Sequence, residues 1–190
     1  MSLLHVFDES GTRTLLRTTD IDVMVRELAG QGIELRRRAV WPLPDGSDQE
    51  TILDRYREDV AEICAAGGYR LVDVAALSPD PDDPESVGKA RVAREKFRSE
   101  HTHDEDETRF FVGGRGCFYL HLDDRVYAVV CTAGDLLSVP AGTAHWFDMG
   151  RVPDFRVIRF FEEQDGWIGS FTGSGASRSI PALDELLAMT

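Results

Sequence analysis

Six short apolar runs, at residues 109–112, 117–122, 126–131, 136–139, 145–147 and 155–161, follow one another with Gly, Asp and Pro signals between them. Runs of three to seven residues are too short for ordinary helices. At this spacing they predict strands that pair with their neighbours in an antiparallel sandwich or barrel. Gly113-Gly114-Arg115-Gly116 and Asp123-Asp124 read as hairpin punctuation.

The chain before this region has a different texture. Asp20 or Thr19 caps a short helix with Ile21, Met24, Val25 and Leu28 at helical spacing, and Gly30 and Gly32 stop it. Ser47 or Asp48 opens a longer helix through Ile52, Leu53, Tyr56, Val60 and Ile63, ending at Gly67-Gly68. Residues 71–75 predict a strand, 78–84 a Pro- and Asp-rich loop, and 85–97 a third, polar helix. After the barrel region, the Gly/Ser-rich stretch 169–179 is expected to be mobile, with a short helix over 181–189. The fold class expected is mainly β in one domain over 1–190. An α/β portion (1–96) packs on the barrel core (97–165), followed by a tail (166–190).

Charge narrows the function classes. With 34 Asp and Glu against 21 Lys and Arg, the net charge is -13, which repels phosphate backbones and anionic membrane surfaces. Arg36-Arg37-Arg38 is the only basic cluster and reads as the solvated end of a strand. Nucleic acid and membrane are not expected partners. The first residues carry neither a basic flank nor a long apolar stretch, so the expected location is cytoplasmic. In that reducing setting Cys64, Cys117 and Cys131, without CxxC spacing, read as free thiols.

The chemistry concentrates in Glu100-His101-Thr102-His103-Asp104-Glu105-Asp106-Glu107. Two histidines at i and i+2 on extended chain point to one side. Glu107 can rejoin them after a tight turn, and His145 lies on a later strand beyond Pro140-Ala141-Gly142-Thr143. Three imidazoles and a carboxylate suit a borderline divalent ion such as Fe(II), Ni(II), Mn(II), Co(II) or Zn(II). His5 is expected to be exposed, His121 to have a structural or surface role, and Glu105 to be solvated, though it is a conceivable further ligand. In 155–161, Arg159 shares a face with Phe155, Val157 and Phe161, and Arg109 shares one with Glu107 and Phe111. A guanidinium aimed into an apolar barrel needs an anion. Glu107 is one possibility; an anionic substrate beside the metal is the other. Phe97, Trp146 and Phe147 flank the ligands in sequence and are expected to form an apolar wall that excludes water.

His101-x-His103-x3-Glu107-x6-Gly114 and Gly134-x5-Pro140-x-Gly142-x2-His145 follow the two cupin motifs in order, which implies a cupin-type antiparallel barrel (jelly roll). Glu95 and Met149 stand where those motifs usually have Gly and Asn; neither position carries a ligand. The string Glu-His-x-His-x3-Glu-x-Arg at 100–109, with 96–112 and 134–150 around it, further resembles the acireductone dioxygenase family, above all its bacterial form.

The resemblance implies His101, His103, Glu107 and His145 as ligands of one Fe(2+) or Ni(2+) per chain. Arg109 and Arg159 would act in catalysis by neutralising the substrate's charge, and Phe97, Trp146 and Phe147 would line its pocket. The implied substrates are O2 and 1,2-dihydroxy-5-(methylthio)pent-1-en-3-one, in methionine salvage. Iron would give formate and 4-methylthio-2-oxobutanoate; nickel would give formate, CO and 3-(methylthio)propanoate. The chain is expected to act as a monomer. Alternative readings are another cupin enzyme, an isomerase or a different dioxygenase, or a non-catalytic metal-binding cupin.

Overall fold

The computed structural model describes residues 1–164, 166 and 168–189. Its eleven strands are joined in one sheet, and every strand pairing within it is antiparallel. The mainly β, cupin-type expectation is met.

The sheet is organised by one long strand, β6 (Glu107–Leu122). Its first half pairs with β8 (Asp135–Val139) and β10 (Asp154–Phe161). Its second half pairs with β7 (Arg125–Thr132) and β9 (Ala144–Asp148). The Gly113–Gly116 run is therefore a bend inside one strand rather than a hairpin turn between two. Gly114 has φ of 63°, and a Cβ there would lie 1.9 Å from the Asp154 carbonyl oxygen, so only glycine permits the bend. Asp123-Asp124 does form the expected hairpin, with Asp123 in the left-handed region.

The N-terminal portion does more than pack on the barrel. Strands β1 (Leu3–Asp8), β2 (Thr14–Thr18), β3 (Glu34–Arg37) and β4 (Leu71–Leu77) all join the sheet, β1 on β7, β3 on β8 and β4 on β10. Helix α1 (Ile21–Ala29) starts where Asp20 accepts from the backbone N–H of Asp22 and Val23. The long helix expected after Asp48 breaks at Tyr56 into α2 (Gln49–Arg55) and α3 (Arg57–Gly67). Tyr56 is buried and turns its hydroxyl to Trp41, and packing there takes precedence over helix continuity. Helix α4 (Pro84–Phe97) leads directly into the chemistry-bearing segment, and α5 (Leu183–Ala188) closes the chain.

One expectation about exposure changes: His5 is buried, stacked on Phe7 with its Nε2 against Thr14, because it lies inside a strand paired on both sides. The basic cluster is the solvated end of β3, as expected, with Arg36 and Arg37 exposed, and it is neutralised locally: Arg36 pairs with Glu34, Arg37 with buried Asp135, and Arg38 with Asp59 and Glu62. All three cysteines are free, as expected.

Candidate metal centre

The short strand β5 (His101–Thr102) pairs with β9 so that His101 stands directly opposite His145. His103 follows two residues on, and Glu107 opens β6. The structure thus gathers all four expected ligand residues at one end of the barrel. One nitrogen from each of His101, His103 and His145 lies within 4.8 Å of the others. Glu107 adds Oε2, 2.5 Å from His145 Nε2 and 3.8 Å from His103 Nε2.

Each imidazole is tied from behind. His101 Nδ1 donates to the Ser99 carbonyl at 2.8 Å, His145 Nδ1 to Thr143 at 2.8 Å, and His103 Nδ1 to Ile168 at 3.0 Å. With its proton on Nδ1, a neutral ring presents the Nε2 lone pair on its inward side, the arrangement a metal ligand requires. Glu107 Oε2 and His145 Nε2 are buried and, close as they are, lack hydrogen-bond geometry to any partner among the described residues. They point at a common centre, not at each other. A donor set of three lone pairs and a carboxylate around one buried point fits a divalent cation and would be costly without one.

The other oxygen of Glu107 takes the Arg109 guanidinium at 2.8 Å, and Arg109 also donates to the Thr108 carbonyl. Burial pushes the Glu107 carboxyl up, but Arg109 and the neighbouring imidazoles outweigh it and hold the group well below the usual carboxylate range. Burial likewise lowers His101, whereas at His145 the adjacent Glu107 overcomes burial and raises it. Of the two anions considered for Arg109, the structure supplies Glu107. Arg159 finds one that the sequence did not announce: Asp73 on β4 takes its Nε at 2.7 Å and Nη2 at 2.6 Å.

A cavity of about 540 Å³ opens on this centre, lined largely by apolar side chains, among them Phe97, Phe111, Phe118, Phe147 and Phe155. Arg109 and Arg159 border it as well. Trp146 does not. It lies on the opposite face of β9 from His145 and Phe147, stacked on Tyr119 at 5.1 Å and 7° in a separate apolar cluster. Strand alternation sends residue 146 away from its neighbours, so adjacency in sequence was misleading. Glu105 is also turned away, accepting from the backbone N–H of Glu162 and Glu163. His121 Nδ1 donates to buried Glu100 at 2.7 Å, a structural role.

The expected mobile tail supplies a wall of the cavity. Strand β11 (Ser170–Phe171) pairs with β5, and Ile168, Gly169 and Phe171 face the site. Glu100 fastens it through the Thr172 hydroxyl at 2.6 Å and the Thr172 backbone N–H at 3.1 Å. Gly and Ser made the stretch look unstructured, yet backbone pairing needs no side chains.

Known proteins resemble this chain in sequence and in fold. Residues 8–169 match the model of the ARD/ARD' family. The chain is 53% identical to acireductone dioxygenase 1 of Nocardia farcinica over 188 residues, covering 98% of this chain and 100% of that protein. It is 48% identical to acireductone dioxygenase of Saccharopolyspora erythraea, covering 99% of each. In overall fold it is similar to the acireductone dioxygenase of Bacillus anthracis solved with a cadmium ion in its active centre. The TM-score is 0.76, with 24% identity, over 90% of this chain and 98% of that one.

Proposed function

Because this chain belongs to the ARD/ARD' family and is a metal-dependent dioxygenase, we propose that it oxidises 1,2-dihydroxy-5-(methylthio)pent-1-en-3-one with O2 in methionine salvage. His101, His103, Glu107 and His145 hold one Fe(2+) or Ni(2+) per chain. One arrangement supports this above all: three imidazoles locked in one tautomer by backbone carbonyls, with a buried carboxylate, around a single point that opens on an apolar cavity.

When bound, the ion supplies Lewis acidity and a template for the two oxygens of an enediolate. The protein's own groups do the rest. Arg109 keeps Glu107 ionised and fixes which of its oxygens faces the centre. Arg159, at the cavity wall, offers positive charge to the anionic end of the substrate. The apolar side chains of Phe97, Phe147 and Phe155 receive the methylthio tail and keep water from the reacting carbons. In this reading Arg109 and Arg159 act in catalysis, and Trp146 belongs to the core.

The proposal places the enzyme in the cytoplasm as a monomer, with its small-molecule substrate and O2 as partners and neither nucleic acid nor membrane among them. No helix among the described residues is long and apolar enough to cross a membrane.

The test is anaerobic mixing of fully metallated protein with the acireductone, followed by O2. Formate should appear with either ion. Iron protein should also give 4-methylthio-2-oxobutanoate, and nickel protein CO and 3-(methylthio)propanoate. Absence of formate from both metallated forms refutes the proposal.

A further inference from the structure

In the register of β4, β10 and β6, Asp73 stands opposite Arg159, and Arg159 opposite Arg109. One row across three strands therefore reads carboxylate, guanidinium, guanidinium. Glu107, paired with Arg109 from the same strand, ends it with a second carboxylate. The two guanidinium carbons lie over the same Phe161 ring, 5.0 Å from its centroid for Arg109 and 5.3 Å for Arg159. Like charges placed so close push apart, and each needs its own anion to stay.

The two pairs are not equivalent. Arg109 is buried and spends its contacts on Glu107 and the Thr108 carbonyl. Arg159 is partly open, borders the cavity, and is gripped along one edge only, Nε and Nη2, by both oxygens of Asp73. A two-point grip fixes the plane of a guanidinium where one bond would let it swing. It leaves Nη1 as the donor without a protein partner among the described residues. Asp73 itself does not line the cavity.

We propose that Asp73 is a positioning residue for the reaction: through Arg159 it presents an oriented, half-free guanidinium to the anionic end of the substrate. The inference rests on the reading of the cavity as an enediolate site. Two effects oppose each other when Asp73 is removed. Arg159 becomes less neutralised, which favours an anion, and it also becomes free to rotate away from Arg109. Asp73 is 39% exposed on its side chain, so its charge is screened by solvent, and loss of orientation outweighs gain of charge.

The test uses metal-reconstituted enzyme carrying D73A, the near-isosteric D73N, D73E, R159A, and the D73A/R159A pair. It reads bound metal, melting temperature, kcat, KM, and anaerobic affinity for the acireductone. D73A and D73N should each raise KM and the anaerobic Kd about ten-fold, with metal content full and kcat within about two-fold. D73E should return KM to within about three-fold of wild type. In the R159A background, D73A should change KM no further, since Asp73 acts only through that side chain. An unchanged or lowered KM in D73N, or an undiminished effect of D73A without Arg159, overturns the assignment. Wild type that binds no acireductone overturns the reading of the cavity and this assignment with it. Wild type that binds normally, with D73N matching it, overturns this assignment alone.

Discussion

Replacing Gly169 with alanine adds one methyl group, and the structure says where it goes. A Cβ at this position would lie 2.8 Å from His101 Cδ2 and 3.2 Å from Cγ. The shorter contact is about 0.6 Å inside the 3.4 Å at which ordinary contact begins. Gly169 is not among the glycines with positive φ, so the cost is steric alone. His101 cannot rotate aside without giving up its 2.8 Å bond to the Ser99 carbonyl, and the rings of His145 and His103 stand 4.5 and 5.0 Å away. The alternative, a shift of the 168–171 segment, moves the Ile168 carbonyl that orients His103. Either way one imidazole of the proposed ligand set leaves its position. Overpacking of this kind costs about 1–3 kcal/mol of stability, which in a chain of this size lowers the melting temperature by roughly 2–12 °C. Disturbing the groups behind a metal ligand typically costs about 10- to 100-fold in affinity. Competition against a chelator of known affinity, with thermal unfolding of the metal-free protein alongside, separates the two effects. Metal affinity within about two-fold of wild type would refute the steric reasoning.

Glu107→Gln should release most of the bound metal and, by leaving the buried Arg109 cation unpaired, destabilise the fold by about 3–5 kcal/mol; elemental analysis and denaturant unfolding read the two losses. Phe147→Ala and Trp146→Ala should part company: the first raises KM for the acireductone, while the second costs about 3–5 kcal/mol of stability and leaves KM of the folded fraction unchanged. Asp148, fully buried, has its carboxyl pushed up by burial and pulled down further by Arg94 and by the N–H groups of Leu183 and Gly150, for a net lowering from 3.8. A lowered carboxyl stabilises the fold fully above its ordinary value and loses that contribution as pH falls through the folded one. Unfolding free energy measured against pH should therefore drop below about pH 4, and Arg94→Gln should flatten that drop.

The convergence of the three histidines was readable because strand geometry puts i and i+2 on one side. His101 and His103 lie two residues apart, and the intervening strands bring His145 opposite His101. The same rule of alternation, applied strictly, separates Trp146 from Phe147, so that correction lay within reach of the sequence. Asp73 did not. Its partner is 86 residues away, and only the β4–β10 register, fixed by the whole packed sheet, brings them together. The strand from Leu3 was missed because a short apolar run carries no sign of what it pairs with, and here it pairs with β7 far down the chain. The Gly113–Gly116 run was read as a turn because glycine marks turns and bends alike, and the choice depends on the strands on either side. The 168–171 segment escaped because composition reports side chains, and this segment is held by its backbone.

That last segment fixes the order in which the enzyme comes into being. All four proposed ligand residues have been synthesised once residue 145 is joined, yet the Ile168 carbonyl that accepts from His103 Nδ1 arrives 65 residues after that histidine. A chain still emerging from the ribosome holds these side chains without the brace, so the oriented His103 ring belongs to a chain extended through Ile168. A message truncated just past the second motif would encode every proposed ligand residue yet lack both β10, which pairs with β4 and β6, and the carbonyl that orients His103.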